Sequence, residues 1–177
     1  MDRTFYLGTH HPGWLAKASV PLFVSRTRLI KRRSFPGASA HWALDSGAFT
    51  ELSIHGRWTV PAEQYAREAR LFSQEIGSLD FAAPQDWMCI CRRQATKTAG
   101  GILASLATAY GLRLHAFGFK TLGLRQSSAY LRSADSMAWS MAARRAKAPL
   151  PGCSHATCAN CFRFALLWRS ELPEEWR

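Results

Sequence analysis

The sequence predicts an α/β protein built on a parallel sheet of about six strands, with a metal knuckle toward its C-terminal end. Three observations predict this. Short apolar runs recur, each closed by a polar or glycine-rich turn. Segments of helical length and period fall between some of them. A tight Cys/His cluster follows the last run.

The strand-like runs, in order, are "TFYLG" (4–8), "PLFVS" (21–25), "WALDS" (42–46), "LDFAAPQD" (79–86), "LRLHAFG" (112–118) and "SADSMAW" (133–139). A helix is expected over "TVPAEQYAREARLFSQEIG" (59–77), opened by Thr59 and Pro61 and ended by Gly77. Its stripe of Tyr65, Ala69, Phe72 and Ile76 has helical spacing and marks a core face. A second helix is expected from about Gln94 to Tyr110, closed by Gly111 and weakened by the Gly100-Gly101 pair. The stretch "AKAPLPG" (146–152) reads as a linker, so residues 1–150 and 151–177 are expected to form the main body and the knuckle. Strands alternating with helices favour a parallel sheet, in which functional side chains collect at the carboxyl ends of the strands.

Composition narrows the function. With 177 residues, 47% of them of apolar type, the chain can bury a core. No apolar run approaches the roughly 20 residues that a membrane crossing needs, so no membrane partner is expected. The opening "MDRTFYLGTHHPGW" lacks the layout of a secretion signal, and a cytoplasmic location is the expectation. The formal charge is +11, from 23 Lys plus Arg against 12 Asp plus Glu. A charge of this size favours a polyanionic partner, most simply nucleic acid, over a basic surface kept for solubility. The basic residues gather in "SRTRLIKRR" (25–33), Arg92-Arg93 and "ARRAK" (143–147).

"PGCSHATCANC" places Cys153, His155, Cys158 and Cys161 within nine residues, spaced C-x-H-x2-C-x2-C. Four soft or borderline ligands suit tetrahedral Zn2+, and with no open position the ion would hold the fold rather than activate water. Free thiols are the bland alternative; a disulfide lacks any other sign of an oxidising compartment. "FRFALLW" after the cluster reads as a short helix that anchors it. Asp45 and Asp86 lie at the ends of strand-like runs, and Asp135 lies within another, flanked by small residues. Singly, each reads equally as turn or cap chemistry. Together, in a basic protein, they suit nucleophile, proton-transfer and base-recognition work. Cys89 and Cys91, one residue apart in "PQDWMCICRRQ", make a poor tetrahedral pair without partners and read as ordinary cysteines.

The ordered set "FYLGTHHPGWL", "PLFVS", "WALDSGAFTEL", "GRWT", "APQDWMC", "CRRQAT", "LHAFGFKT", "ADSMAWSMAARR" and "PGCSHATCANC" spans almost the whole chain. It resembles the tRNA-guanine transglycosylase superfamily, closest to its queuine tRNA-ribosyltransferase-like branch that modifies DNA with 7-deazapurines. The resemblance implies a (β/α) barrel of the TIM type with a zinc-bearing appendage. It implies a pentosyltransferase that replaces guanine in nucleic acid, DNA rather than RNA, by a 7-deazaguanine base through a covalent aspartyl-glycosyl intermediate. Asp135 then corresponds to the nucleophile and Asp45 to the proton-handling residue. Ser46, Gly47 and Asp86 correspond to base-binding positions, and Cys153, His155, Cys158 and Cys161 to the ligands of a structural zinc. Accessory modification proteins are implied as possible partners.

Two departures stand out. Ala48 occupies a position where the tRNA enzymes carry a second glycine. In relatives, further barrel separates the "DWMC" and "CRRQ" motifs, which here meet between Ile90 and Cys91. At about 30 residues per unit, two missing units amount to on the order of sixty residues. The expected fold is therefore an incomplete TIM-barrel-like one of about six parallel strands. The alternative to catalysis is a non-catalytic, zinc-stabilised nucleic-acid-binding remnant, or an inactive product of an internal deletion.

Overall fold

The computed structural model describes residues 3–85, 114–119, 121–146 and 148–177. The chain divides into two compact units, one of residues Gly8–Ile90 and one of Met1–Leu7 with Cys91–Arg177. They are called here the Asp45 unit and the Asp135 unit. The α/β class with six parallel strands stands as the sequence predicts. The helix expected over 94–110, Asp86, Cys89, Cys91 and Arg92-Arg93 lie outside the described residues.

In the Asp45 unit, β2 (Leu22–Ser25), β3 (Trp42–Asp45) and β4 (Leu79–Ala82) pair in parallel in that order. Successive side chains of a strand alternate between faces. Leu22, Val24, Trp42 and Leu44 therefore share one face and are fully buried. Phe23 and Phe81 share the other, their ring centroids 6.2 Å apart. That second face ends on the register pair Ser25 and Asp45.

Three helices follow these strands: α1 (Arg26–Leu29), α2 (Ala48–His55) and α3 (Ala62–Ile76). On α3, Tyr65, Phe72 and Ile76 are buried and Ala69 is half-buried, as the stripe predicts. Gly77 ends the helix with a φ of +75°, and Trp42 Nε1 donates to its carbonyl at 2.7 Å. The expected start is shifted. Pro61 is the N-cap, while Thr59 turns back to bond Glu51 through its backbone N–H and its hydroxyl. β4 stops at Ala82, short of the predicted 86. Pro84 in that stretch has no N–H for a ladder.

In the Asp135 unit, β6 (Leu131–Ser136) lies between β1 (Thr4–Thr9) and β5 (Leu114–Ala116), again in parallel. Ser, Ala and Asp are weak strand formers, so pairing on both sides, not propensity, holds β6 extended. The sequence carries this strand on to Trp139. In the structure it ends at Ser136, whose Oγ accepts from the Ala138 N–H at 3.1 Å and starts α5 (Ala138–Arg145). Trp139 and Ala143 are buried on α5, the one-turn spacing of a helix face. A further helix, α4 (Thr121–Ser127), joins β5 to β6.

Register again separates two faces. Tyr6, Ser133, Asp135 and His115 share one; Phe5, Ala134 and Ala116 share the other. The apolar face is the covered one, since Phe5 packs against Trp168 of α6 (Phe162–Ser170) with centroids 6.1 Å apart. The polar side chains thus gather on the face opposite α6.

Candidate active site and metal centre

Asp135 sits near the carboxyl end of β6 and is 6% exposed. A buried carboxylate needs donors, and two reach the same oxygen. Oδ1 accepts from the Gly118 N–H at 3.0 Å and faces His115 Nε2 at 3.3 Å. His115 Nδ1 in turn lies 2.8 Å from Ser133 Oγ. The Phe119 N–H donates to the Asp135 carbonyl at 2.9 Å, fixing the turn after β5 against β6. Gly118 has a φ of +59°, which lets that turn aim its N–H at the carboxylate. Among the described residues, Oδ2 of Asp135 has no hydrogen-bond partner. The imidazole is itself walled in by Phe117, edge-on at 4.5 Å, and by Tyr6 at 6.1 Å. The sequence reading did not single out His115. Its signal was a lone titratable residue within a short apolar strand.

Asp45 ends β3 half-buried, and Ser46 behind it is 2% exposed. Gly47 has a φ of +85°, and a Cβ there would lie 3.0 Å from Thr27 Cγ2 and 3.6 Å from Ser25 Oγ. The Asp-Ser-Gly turn therefore needs glycine both for its backbone and for the close approach of the turn after β2. Ser25 and Thr27 hydroxyls bond each other at 3.1 Å in that turn. At the start of α3, Tyr65 donates to the Ala83 carbonyl at 2.6 Å. Burial, with the Asp45 charge adding to it, pushes the Tyr65 phenol well above its usual range, so it stays a proton donor.

Beside this turn lies a buried ion network. Arg26 is 3% exposed and pairs with Glu68 through Nε to Oε2 and through Nη2 to Oε1 at 3.1 Å. Its Nη1 lies 4.0 Å from Glu51. Hydrogen bonds from Thr59 hold the Glu51 carboxyl below its ordinary value. Burial raises that of Glu68, but bonds from Arg26 and Gln64 outweigh it and leave it lowered. The sequence reading placed Arg26 in a basic surface track. The structure withdraws it into the interior and leaves Arg28, Lys31, Arg32 and Arg33 on the surface.

The Cys/His cluster is compact. One ligand atom each from Cys153, His155, Cys158 and Cys161 lies within 4.8 Å of all the others, so the group could hold a metal ion. Cys153 and Cys161 Sγ are 3.9 Å apart, close to the edge of about 3.8 Å expected for a tetrahedron with zinc–thiolate bonds. His155 Nε2 lies 3.2 Å from Cys158 Sγ. The Leu150 N–H donates to Cys158 Sγ at 3.3 Å. Cys161 is the N-cap of α6. Burial raises its thiol, yet backbone N–H groups of Phe164 and Arg163 help to bring it below its usual value, as suits a metal ligand. The knuckle docks on α5: Ala143 packs with Cys158 and Cys161, and Ser140 Oγ donates to the Ala159 carbonyl at 2.7 Å. Because α5 directly follows β6, the Cys/His cluster packs against the helix that leaves the Asp135 strand.

Of the site residues read from the sequence, the four Cys/His side chains come together as predicted. Asp135 acquires fixed partners, and Asp45, Ser46 and Gly47 form one turn. Asp86 lies outside the described residues.

No helix among the described residues is long and apolar enough to cross a membrane. No curated protein and no solved structure matches the chain. The family model of DpdA, described as deoxypurine in DNA protein A, matches residues 1–90 and 89–177. The two matched stretches cover the chain and meet at Cys89-Ile90, the point where the sequence motifs abut. The chain therefore belongs to the DpdA family, a DNA 7-deazaguanine modification family related to the tRNA-guanine transglycosylases.

Proposed function

We propose that the protein is a base-exchange transglycosylase that replaces guanine in DNA by a 7-deazaguanine. The observation that carries this reading is Asp135: buried, anchored through Oδ1, and with Oδ2 lacking a hydrogen-bond partner among the described residues. A nucleophile needs this combination of a fixed position and an uncommitted lone pair. Oδ2 attacks C1′ of the target deoxyribose, the C1′–N9 bond breaks, and guanine leaves with its bonding electron pair. Asp45 supplies the proton that guanine needs and then takes one from the incoming 7-deazaguanine. The N9 so exposed attacks C1′ and breaks the bond to Oδ2, restoring Asp135. Ser46, Gly47 and Asp86 bind the base. The target nucleotide must leave the duplex stack for this chemistry. Exposed Arg28, Lys31, Arg32, Arg33, Arg144 and Arg145 suit contacts to the phosphate backbone.

The four Cys/His ligands would hold Zn2+, which supplies structural support under α5 and takes no part in the reaction. Cytoplasmic action and accessory modification proteins belong to the same reading.

The test is base exchange with labelled 7-deazaguanine on duplex and single-stranded DNA, with trapping of the covalent adduct. Wild type is expected to incorporate label and Asp135→Asn to lose incorporation and adduct together. Equal inertness of the two proteins overturns the reading.

A second reading rests on the match in two stretches, which supports an internal join between Ile90 and Cys91. The chain would then be a DNA-binding remnant that kept its basic surface and its knuckle. It predicts salt-dependent DNA binding without label incorporation.

A further inference from the structure

We propose that His115 is a positioning residue for the nucleophile, and that Ser133 sets the tautomer in which it works. The inference rests on the transglycosylase reading and assigns a residue to it.

The argument starts from what each atom can do. An ionised carboxylate only accepts hydrogen bonds. His115 Nε2, 3.3 Å from Asp135 Oδ1, must therefore carry hydrogen to bond it. A neutral imidazole with hydrogen on Nε2 presents Nδ1 as an acceptor, and the Ser133 hydroxyl lies 2.8 Å away to donate. Strand register makes this arrangement structural. His115 and Ser133 are register partners across β5 and β6, and Asp135 follows Ser133 by two residues on the same face. The three side chains form a ladder that neither strand builds alone.

The ladder has a consequence for the reaction. His115 and the Gly118 N–H both hold Oδ1, so the carboxylate cannot rotate to exchange its oxygens without losing two bonds. Oδ2 is thereby the atom presented to C1′. Negative charge on the carboxylate disappears as the bond to C1′ forms. The donors on Oδ1 thus fix geometry rather than stabilise the covalent ester. Phe117 and Tyr6 both meet the imidazole ring edge-on and help to hold its orientation.

The experiment compares wild type, His115→Ala, His115→Gln, Ser133→Ala and Asp135→Asn in single-turnover adduct formation, with DNA concentration varied. His115→Ala is expected to slow adduct formation about 10²-fold with the half-saturating DNA concentration unchanged. His115→Gln, whose side-chain amide can still donate to Oδ1, is expected to recover most of that loss. A merely structural role would not distinguish Ala from Gln in rate while sparing DNA binding. Nitrogen NMR of histidine-labelled protein is expected to show His115 with hydrogen on Nε2. Ser133→Ala is expected to weaken that preference.

An active wild type with an unimpaired His115→Ala overturns the positioning role alone. Hydrogen on Nδ1 does the same. A wild type as inert as Asp135→Asn overturns the transglycosylase reading, and the role of His115 falls with it.

Discussion

The Asp45 unit and the Asp135 unit each carry a carboxylate at or beside the end of a strand, but they secure that strand end by different chemistry. Beside Asp45, the support is internal and ionic: Arg26 leaves the end of β2, turns inward and pairs with Glu68 and Glu51. In the Asp135 unit, a four-residue Cys/His cluster packs on α5, one element beyond the strand itself. The carboxylates differ accordingly. Asp135 is buried and doubly held through one oxygen, whereas Asp45 is half-buried on a turn. Fixed geometry suits the nucleophile proposed at Asp135, and access suits the proton exchange proposed at Asp45.

The comparison breaks most sharply at the knuckle. Replacing Cys158 by Ser, or stripping the metal with a chelator, is expected to lower Tm by more than about 10 °C. Amide exchange should show the first loss of protection in α5 and α6, and elemental analysis should find one metal equivalent only in the untreated protein. Unchanged Tm would mean that packing alone holds α5.

Arg26→Ala comes next. Removing one partner of a buried pair strands the other charge, and about 3 kcal/mol of unfolding free energy should be lost in urea titrations. The same network sets an acid limit. Glu51 and Glu68 are both held below the ordinary glutamate value in the folded state by their hydrogen bonds to Thr59 and to Arg26 and Gln64. They therefore contribute stability that is fully present above that value and is lost as pH falls through the lower folded values. Unfolding measured from pH 6 down to pH 3 should show this fall, and Glu68→Gln should flatten it.

Gly47→Ala sharpens the comparison with the smallest effect, about 1–2 kcal/mol. A left-handed non-glycine residue and a contact of 3.0 Å to Thr27 together account for the loss. Binding of DNA should weaken with it if the turn contacts the base, which separates a functional turn from a merely strained one.

Much of this was readable before the structure. Cys153, His155, Cys158 and Cys161 sit close in sequence, so their meeting required only local turns. The α3 stripe was readable for the same reason, since helical period is a local property. Other features were not. α2 escaped notice because Phe49 and Ile54 on it are exposed, at 69% each, so its apolar residues do not mark a buried face. The end of β6 was misjudged because Trp139 looks the same in a strand or on a helix face. Arg26 was counted with its basic neighbours, and only Glu68, 42 residues away, shows why it is not one of them. His115 needed strand pairing to meet Ser133 and Asp135.

By itself the sequence determined the class of fold, the Cys/His cluster that could hold a metal ion, the Asp-Ser-Gly turn and the resemblance that the DpdA match bore out at family level. Each of these is written in short-range spacing or in the order of motifs. The tertiary structure alone decided which cation is buried, which oxygen of Asp135 is held, and which imidazole holds it. Those outcomes depend on strand register and on pairs distant in sequence, and no local pattern encodes a partner that arrives from another element.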